Sequence, residues 1–240
     1  MKINLFIPCF IDQLYPQTAF NTKKILEKAG CEVHYNPQQT CCGQPAFNSG
    51  YWNETRTLAE KFFADFPEND RYIVSPSASC ISFAQTHYKK LFADQPEKLA
   101  ECERVGRLGC ELSDFLVNVL NIDDLGAAFP HKVTYHDSCS ALREYGIKSE
   151  PRQLLSKVKG LELIEMEECE TCCGFGGTFA VKNTAISSAM AEKKVENALA
   201  SGAEYIVSTE ASCLMNINGY IAKRKLPIKG IHLADILAHF

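Results

Sequence analysis

Positive charge is not in excess in this chain: 25 Lys and Arg stand against 29 Asp and Glu, a net charge of −4. A nucleic-acid surface needs a basic stripe, so this balance argues against such a partner. No apolar run reaches the length of a membrane-crossing helix. The opening stretch Met1-Lys2-Ile3-Asn4-Leu5-Phe6-Ile7-Pro8-Cys9 is apolar only briefly, and no small-residue cleavage pattern follows it. It reads as a buried first strand in a cytoplasmic protein. A complete flavin or nicotinamide fingerprint is also missing. Gly174-Phe175-Gly176-Gly177 lacks the Gly-x-Gly-x-x-Gly spacing and does not follow its strand directly. Hydride chemistry is therefore expected on a partner.

Cysteine, by contrast, is plentiful, with twelve residues. An adjacent pair occurs twice, as Thr40-Cys41-Cys42-Gly43 and as Thr171-Cys172-Cys173-Gly174. Each pair has one cysteine far upstream, Cys9 or Cys139, at a separation of 32 residues (Cys9 to Cys41) or 33 (Cys139 to Cys172). Each also has one far downstream, Cys80 or Cys213, 38 residues (Cys42 to Cys80) or 40 (Cys173 to Cys213) away. This is an internal repeat, each copy carrying one four-thiolate site. Six disulfides are a poor alternative. The chain has ample core and no export signal, and adjacent cysteines make a strained disulfide with each other. Clustered thiols in a reducing compartment more often hold metal or do redox chemistry.

The repeat extends beyond the cysteines. Arg71 to Cys80 matches Glu204 to Cys213 at seven of ten places, and Gly109 to Leu116 corresponds to Gly230 to Leu237. The pattern predicts strands near Lys2–Ile7, Cys31–Tyr35 and Arg71–Ser75, then near Lys132–His136, Leu161–Met166 and Glu204–Ser208. Helices are expected between them. One runs from Thr18 to Ala29 and is stopped by Gly30. Another is capped by Asn53 and carries Leu58, Phe62 and Phe66. A short one opens at Pro151, and a long one runs from Asn183 or Thr184 to Ala200. Alternation of this kind implies an α/β fold of two tandem pseudo-symmetric lobes, residues 1–120 and 132–240, joined by a linker over 121–131. Each lobe is a small parallel sheet flanked by helices. Each cysteine of the set then lies beyond the carboxyl end of a strand, where ligands bind in such sheets. The first lobe has extra residues before its closure, placed in Lys89–Glu103 as a polar surface segment.

Four thiolates with no histidine in register suit zinc or an iron–sulfur cluster. Structural zinc usually comes from tight Cys-x-x-Cys knuckles, whereas these ligands lie tens of residues apart and two are adjacent. That favours iron–sulfur. The glycine after each pair permits positive φ and lets backbone N–H groups turn toward sulfur. Of the other cysteines, Cys31 and Cys110 read as small core residues. Cys102 reads as exposed, and Cys169 as a spare thiol near the second site. His136-Asp137 reads first as a strand-end histidine and a capping aspartate, and alternatively as a proton relay or hydrogen-bond source for the second site. Arg143 and Arg152 are candidates for a substrate carboxylate, against the more ordinary reading of solvated or ion-paired groups.

These residues resemble a known family. The doubled Cys…Cys-Cys-Gly…Cys pattern is similar to the cysteine-rich CCG domain found in the B subunit of heterodisulfide reductase, the glycolate oxidase iron–sulfur subunit and the C subunit of anaerobic glycerol-3-phosphate dehydrogenase. Phe6-Ile7-Pro8-Cys9-Phe10, Gln39 to Gly50, Cys172 to Phe179 and Cys213-Leu214-Met215-Asn216-Ile217 resemble the lactate utilization protein A family more closely still. The resemblance implies an iron–sulfur electron-transfer subunit of a system oxidising L-lactate to pyruvate. Its clusters would be two [4Fe–4S] centres on Cys9, Cys41, Cys42, Cys80 and on Cys139, Cys172, Cys173, Cys213. Its partners would be a ferredoxin-motif subunit and a third, smaller one. Two departures stand out. Heterodisulfide-type domains carry a fifth cysteine three residues after the last, where this chain has Phe83 and Asn216. The family also commonly has histidine where this chain has Ser140. A cluster-based thiol–disulfide reductase and a zinc-stabilised scaffold without redox role are the alternatives.

Overall fold

Residues 1–240 are described by a computed structural model. The chain begins with β1 (Lys2–Leu5), α1 (Cys9–Leu14) and α2 (Pro16–Lys28). β2 (Glu32–Tyr35), α3 (Gln44–Asn48) and α4 (Trp52–Asp65) follow, then β3 (Tyr72–Ser75) and α5 (Ala78–Leu91). α6 (Pro96–Leu108), β4 (Gly109–Glu111) and α7 (Leu112–Asp114), which runs on as a π-helical turn over Phe115–Val119, complete the first lobe. The second lobe opens with β5 (Lys132–Tyr135), a π-helical segment over Ser140–Tyr145, α8 (Ser149–Ser156) and β6 (Glu162–Leu163). α9 (Thr178–Lys182), α10 (Thr184–Ala200), β7 (Tyr205–Ser208), α11 (Ala211–Arg224), β8 (Lys229–His232) and α12 (Leu233–Leu237) end it. No helix is long and apolar enough to cross a membrane.

The strands form two four-stranded sheets in the orders β2-β1-β3-β4 and β6-β5-β7-β8, with every pairing parallel. Two tandem α/β lobes result. The strand order reverses between β1 and β3, and again between β5 and β7. Just beyond the carboxyl ends of such a pair, successive crossovers leave a crevice. Both cysteine quartets gather there. The central strands are buried on both faces and read as apolar runs, as parallel strands do. α2 shows the helical counterpart: Thr18, Thr22, Ile25 and Leu26 form its buried stripe, Pro16 starts it, and Gly30 stops it at a φ of +82°.

One hydrophobic core serves both sheets, with Ile3 and Leu5 in the same cluster as Val133, Tyr135 and Leu237. The lobes exchange contacts reciprocally. α2 of the first packs on α12 of the second, where Thr18 Oγ1 and Asn21 Nδ2 each donate to Asp235 at 2.9 Å. The Ser140–Tyr145 segment of the second packs on α5 of the first, and Tyr145 hydroxyl donates to Asp114 at 2.6 Å. Leu125, Ala127 and Phe129, between the sheets, are buried as well.

Several local expectations need correction. Cys9 is the first residue of an unforeseen short helix, α1. Asn53 is not a cap: it lies inside α4, which begins at Trp52 with Tyr51 before it. Pro151 is the third residue of α8, not the first. The strand expected over Leu161–Met166 shrinks to Glu162–Leu163. Each lobe gains a fourth strand, β4 or β8, in the closing segment. Cys102 is fully buried, because the insertion ends in α6 and Cys102, Val105 and Leu108 face the core. Arg104 lies beside them, its guanidinium donating to the carbonyls of Phe66 (2.6 Å) and Glu68 (2.9 Å).

Two candidate thiolate centres

Each lobe brings together four cysteines from three loops. Cys9 opens α1 and Cys80 lies in the first turn of α5, while Cys41 and Cys42 come from the loop before α3. Cys139 adjoins the π-helical segment and Cys213 lies in the first turn of α11, while Cys172 and Cys173 come from the loop after β6. The thiols form a chain in each lobe, Cys9–Cys41–Cys42–Cys80 and Cys139–Cys172–Cys173–Cys213. Cys9 and Cys41 sulfurs are 3.6 Å apart. None of the twelve cysteines is in a disulfide.

The glycines shape both loops. Gly43 and Gly174 have φ of +93° and +83°, a region other residues rarely adopt. A side chain at Gly174 would stand 2.7 Å from the Ser187 carbonyl, and one at Gly43 3.1 Å from Thr55 Cγ2. Only glycine combines this backbone conformation with so close an approach to α4 or α10. In return each glycine N–H donates to the sulfur of Cys41 or Cys172, at 3.4 Å in both lobes.

Charge within each quartet is uneven. Hydrogen bonds from Cys42 and Cys9, with the Gly43 N–H, pull the Cys41 thiol down to about 3. Cys139, Cys173 and the Gly174 N–H take Cys172 to about 2. Cys213 is lowered to about 6, first by Cys173 and then by the neighbouring His136. The partners move the other way: Cys9 and Cys139 are raised chiefly by donating to Cys41 and Cys172, and Cys42 and Cys173 likewise. Cys41 in the first quartet, and Cys172 and Cys213 in the second, are thus the thiolates that neighbouring donors stabilise. Four clustered thiolates would repel one another, and a bound cation would offset that repulsion, which is the donor chemistry of a soft metal or cluster site.

The remaining candidates are placed as follows. Cys31 and Cys110 are core residues, with burial pushing Cys110 up to about 12. Cys169 faces Asp137 rather than joining the thiol chain. Phe83 is buried against Phe47 and His87. Asn216 donates to the Cys173 carbonyl at 2.8 Å. Asp137 is buried and receives both Arg152 terminal nitrogens, at 2.8 and 2.7 Å, while Arg152 also holds Glu165 and stacks over the Tyr135 ring. Arg152 is therefore ion-paired and not free for a substrate. Arg143 is exposed and reaches the Glu170 carbonyl at 3.3 Å.

Among the buried ionisable groups that escaped the sequence reading are Lys194, Glu210 and Glu111. Lys194 donates to the carbonyls of Glu168 and Cys169, in the turn leading to Cys172. Its signal was a charge on the apolar stripe of α10, seven residues after buried Ser187. Glu210 accepts from Ser79 N–H (2.6 Å), Ser79 Oγ (2.8 Å) and Ser77 Oγ (3.2 Å) of the other lobe. Burial, reinforced by Cys213, raises it to about 8. Its signal was the mismatch of Glu210 with Ser77 inside an otherwise matching stretch. Glu111 is raised to about 7 by burial. A cavity of about 260 Å³, lined by Cys172, Met190 and Lys194 among others, opens beside the second quartet.

Cysteine quartets at the switch points of two duplicated parallel sheets define a class of protein. The family described as the cysteine-rich domain, CCG, matches residues 3–83 and 133–218, the two halves of the repeat. Lactate utilization protein A of Halalkalibacterium halodurans is 44% identical over 100% of this chain and 97% of its own. Its namesake from Bacillus subtilis is 40% identical over 99% of both. The chain belongs to the lactate utilization protein A family, within the cysteine-rich CCG domain proteins. Among solved structures, a hypothetical protein from Helicobacter pylori has the same fold, with a TM-score of 0.67 at 14% identity. The match covers 98% of this chain and about half, 48%, of that one.

Proposed function

We propose that each quartet holds an iron–sulfur cluster and that the chain is the electron-transfer subunit of a lactate-oxidising system. The observation that carries this reading is the convergence, in each lobe, of four free cysteines from distant parts of the chain at the carboxyl edge of a parallel sheet. Cys9, Cys41, Cys42 and Cys80 would hold one cluster, and Cys139, Cys172, Cys173 and Cys213 the other. With four cysteines each, both suit a [4Fe–4S] type. A bound cluster supplies one-electron storage. The protein supplies thiolates, the N–H donors of Gly43 and Gly174, and an apolar wall. Family membership and the name of the relatives support lactate as the substrate of the whole system. Substrate chemistry would lie on partners, a ferredoxin-motif subunit and a smaller third one, since Arg152 is already paired. Twelve free thiols suit a reducing compartment such as the cytoplasm. The missing fifth cysteine, with Phe83 and Asn216 in its place, argues against heterodisulfide cleavage.

Anaerobic purification followed by iron and acid-labile sulfide analysis tests the reading. Both elements are expected, lost together from one lobe in Cys42→Ser or Cys173→Ser and retained in Cys102→Ser. Zinc without sulfide would replace the electron-transfer role with a scaffold.

A further inference from the structure

His136 stands immediately after β5, three residues before Cys139. It is 0% exposed, and neither ring nitrogen has a hydrogen-bond partner. A core histidine is ordinarily satisfied, since a buried donor or acceptor without a partner gives up its hydration and gains nothing in return. The backbone is held on both sides: His136 N–H donates to the Val207 carbonyl at 2.8 Å, and its own carbonyl accepts from Ser208 Oγ at 3.1 Å. What the ring does meet is sulfur. A ring nitrogen and the sulfurs of Cys173 and Cys213 all lie within 4.8 Å of one another. The first lobe has no equivalent. There Phe6, at the corresponding place before Cys9, sits edge-on to Phe62 with ring centroids 5.0 Å apart.

We infer that His136 is a nitrogen ligand of the second centre, which is therefore a mixed sulfur–nitrogen site while the first is all sulfur. The inference rests on the metal-binding reading above but not on the metal's identity. The neutral imidazole donates a lone pair; no bond is broken and no electron is transferred. Ligation satisfies one orphaned nitrogen and gives the pocket a reason to keep a buried polar ring where its twin keeps a phenyl. It also makes the two centres distinguishable by element.

Cys42→Ser serves as the background, because it leaves the second centre alone to be read. The protein is reconstituted with iron and sulfide, reduced, and examined by pulsed electron paramagnetic resonance. Nitrogen hyperfine coupling of the size given by a directly bound imidazole is expected, changing to the ¹⁵N pattern when histidine is ¹⁵N-labelled. This arm needs no substitution at His136. Adding His136→Phe, which copies the phenyl of Phe6, should abolish the coupling while iron remains. Coupling that is absent, or only as weak as a hydrogen bond to sulfur gives, overturns the assignment. If iron and sulfide do not bind at all, the functional reading fails separately. Co²⁺ added to the metal-free protein then decides the ligand: His136→Phe must shift its visible ligand-field bands, and an unchanged spectrum sinks the inference.

Discussion

The two lobes share a sheet order, a loop and a cysteine spacing, yet they enclose their quartets in opposite materials. Around the first, Phe6, Phe62, Phe63, Phe66, Phe83, Tyr88 and Phe92 are buried in one cluster with Cys42. Around the second, the cluster that contains Cys173 has no buried aromatic residue. Thr55 and Ser187 each pack against the glycine after the pair, so they align α4 with α10. Seven residues on, Phe62 answers to Lys194; eleven on, Phe66 answers to Ala198. With Phe6 answering to His136, an aromatic pair in one lobe has become two nitrogen bases in the other. Duplication kept what holds a centre and changed what surrounds it. If the quartets hold clusters as proposed, surroundings would set their potentials through burial and hydrogen bonding, and the two centres would differ.

The largest expected effect breaks the symmetry outright. Cys42→Ser or Cys173→Ser should each remove about half of the iron, as expected when one of two quartets loses a ligand. Equal retention in either variant would show that the quartets are misassigned. Next in size is the aromatic wall. Phe66→Ala should cost about 3–5 kcal/mol, the usual result for a buried phenylalanine, whereas Ala198→Gly, at the matching place, should cost about 1 kcal/mol. Chemical denaturation of the two variants compares them directly.

Lys194→Ala comes third. It orphans two carbonyls in the turn before Cys172 and should cost about 3 kcal/mol, or a melting point roughly 6–12 °C lower. A melting curve unchanged within a degree would mean that the turn holds itself. Potential is a finer comparison. The second centre has His136 and Lys194 nearby where the first has phenyl rings, and positive or donor groups stabilise the reduced state. Redox titration should therefore lose its higher-potential component in Cys173→Ser. Loss of the lower one would reverse that order of potentials.

The smallest effect concerns pH. Glu210 has a folded pKa of about 8, above the ordinary carboxylate value of 4.5. The folded state thus holds a proton that the unfolded state releases. Its stabilising contribution is complete below pH 4.5 and disappears as pH rises through 8. Between pH 6.5 and 8 the decline should be about 2 kcal/mol at most. Glu210→Gln should flatten that slope, and urea denaturation at several pH values measures it. A slope that survives in the variant would assign it to another group, with Glu111 the first to try.

Much of this architecture was legible in the sequence because the repeat is written in cysteine. Two copies of one spacing reveal equivalent loops, and the stretch Tyr72–Ser75, repeated as Tyr205–Ser208, reveals equivalent strands. Where burial depends on distant partners, legibility ends. Lys89–Glu103 is polar enough to read as surface, yet it leads into a helix whose Arg104 is buried because the carbonyls of Phe66 and Glu68 wait for it. Asn53 is a good cap in isolation, but α4 had already begun at Trp52. The surroundings of His136 were beyond reach for the same reason: the backbone partners Val207 and Ser208 and the sulfurs of Cys173 and Cys213 all lie far along the chain.

Glu210 sets how the two halves can fail. Its carboxyl belongs to the lobe of Cys213 but is solvated by the serines beside Cys80. Pulling the lobes apart would break all three of its hydrogen bonds and open the core that the two sheets share. One melting transition is therefore expected for the whole chain. Thermal unfolding should remain a single cooperative step even in Cys42→Ser, where one quartet has lost a ligand. Either half expressed alone would lack the serines or the carboxyl that its partner provides, along with its share of the common core.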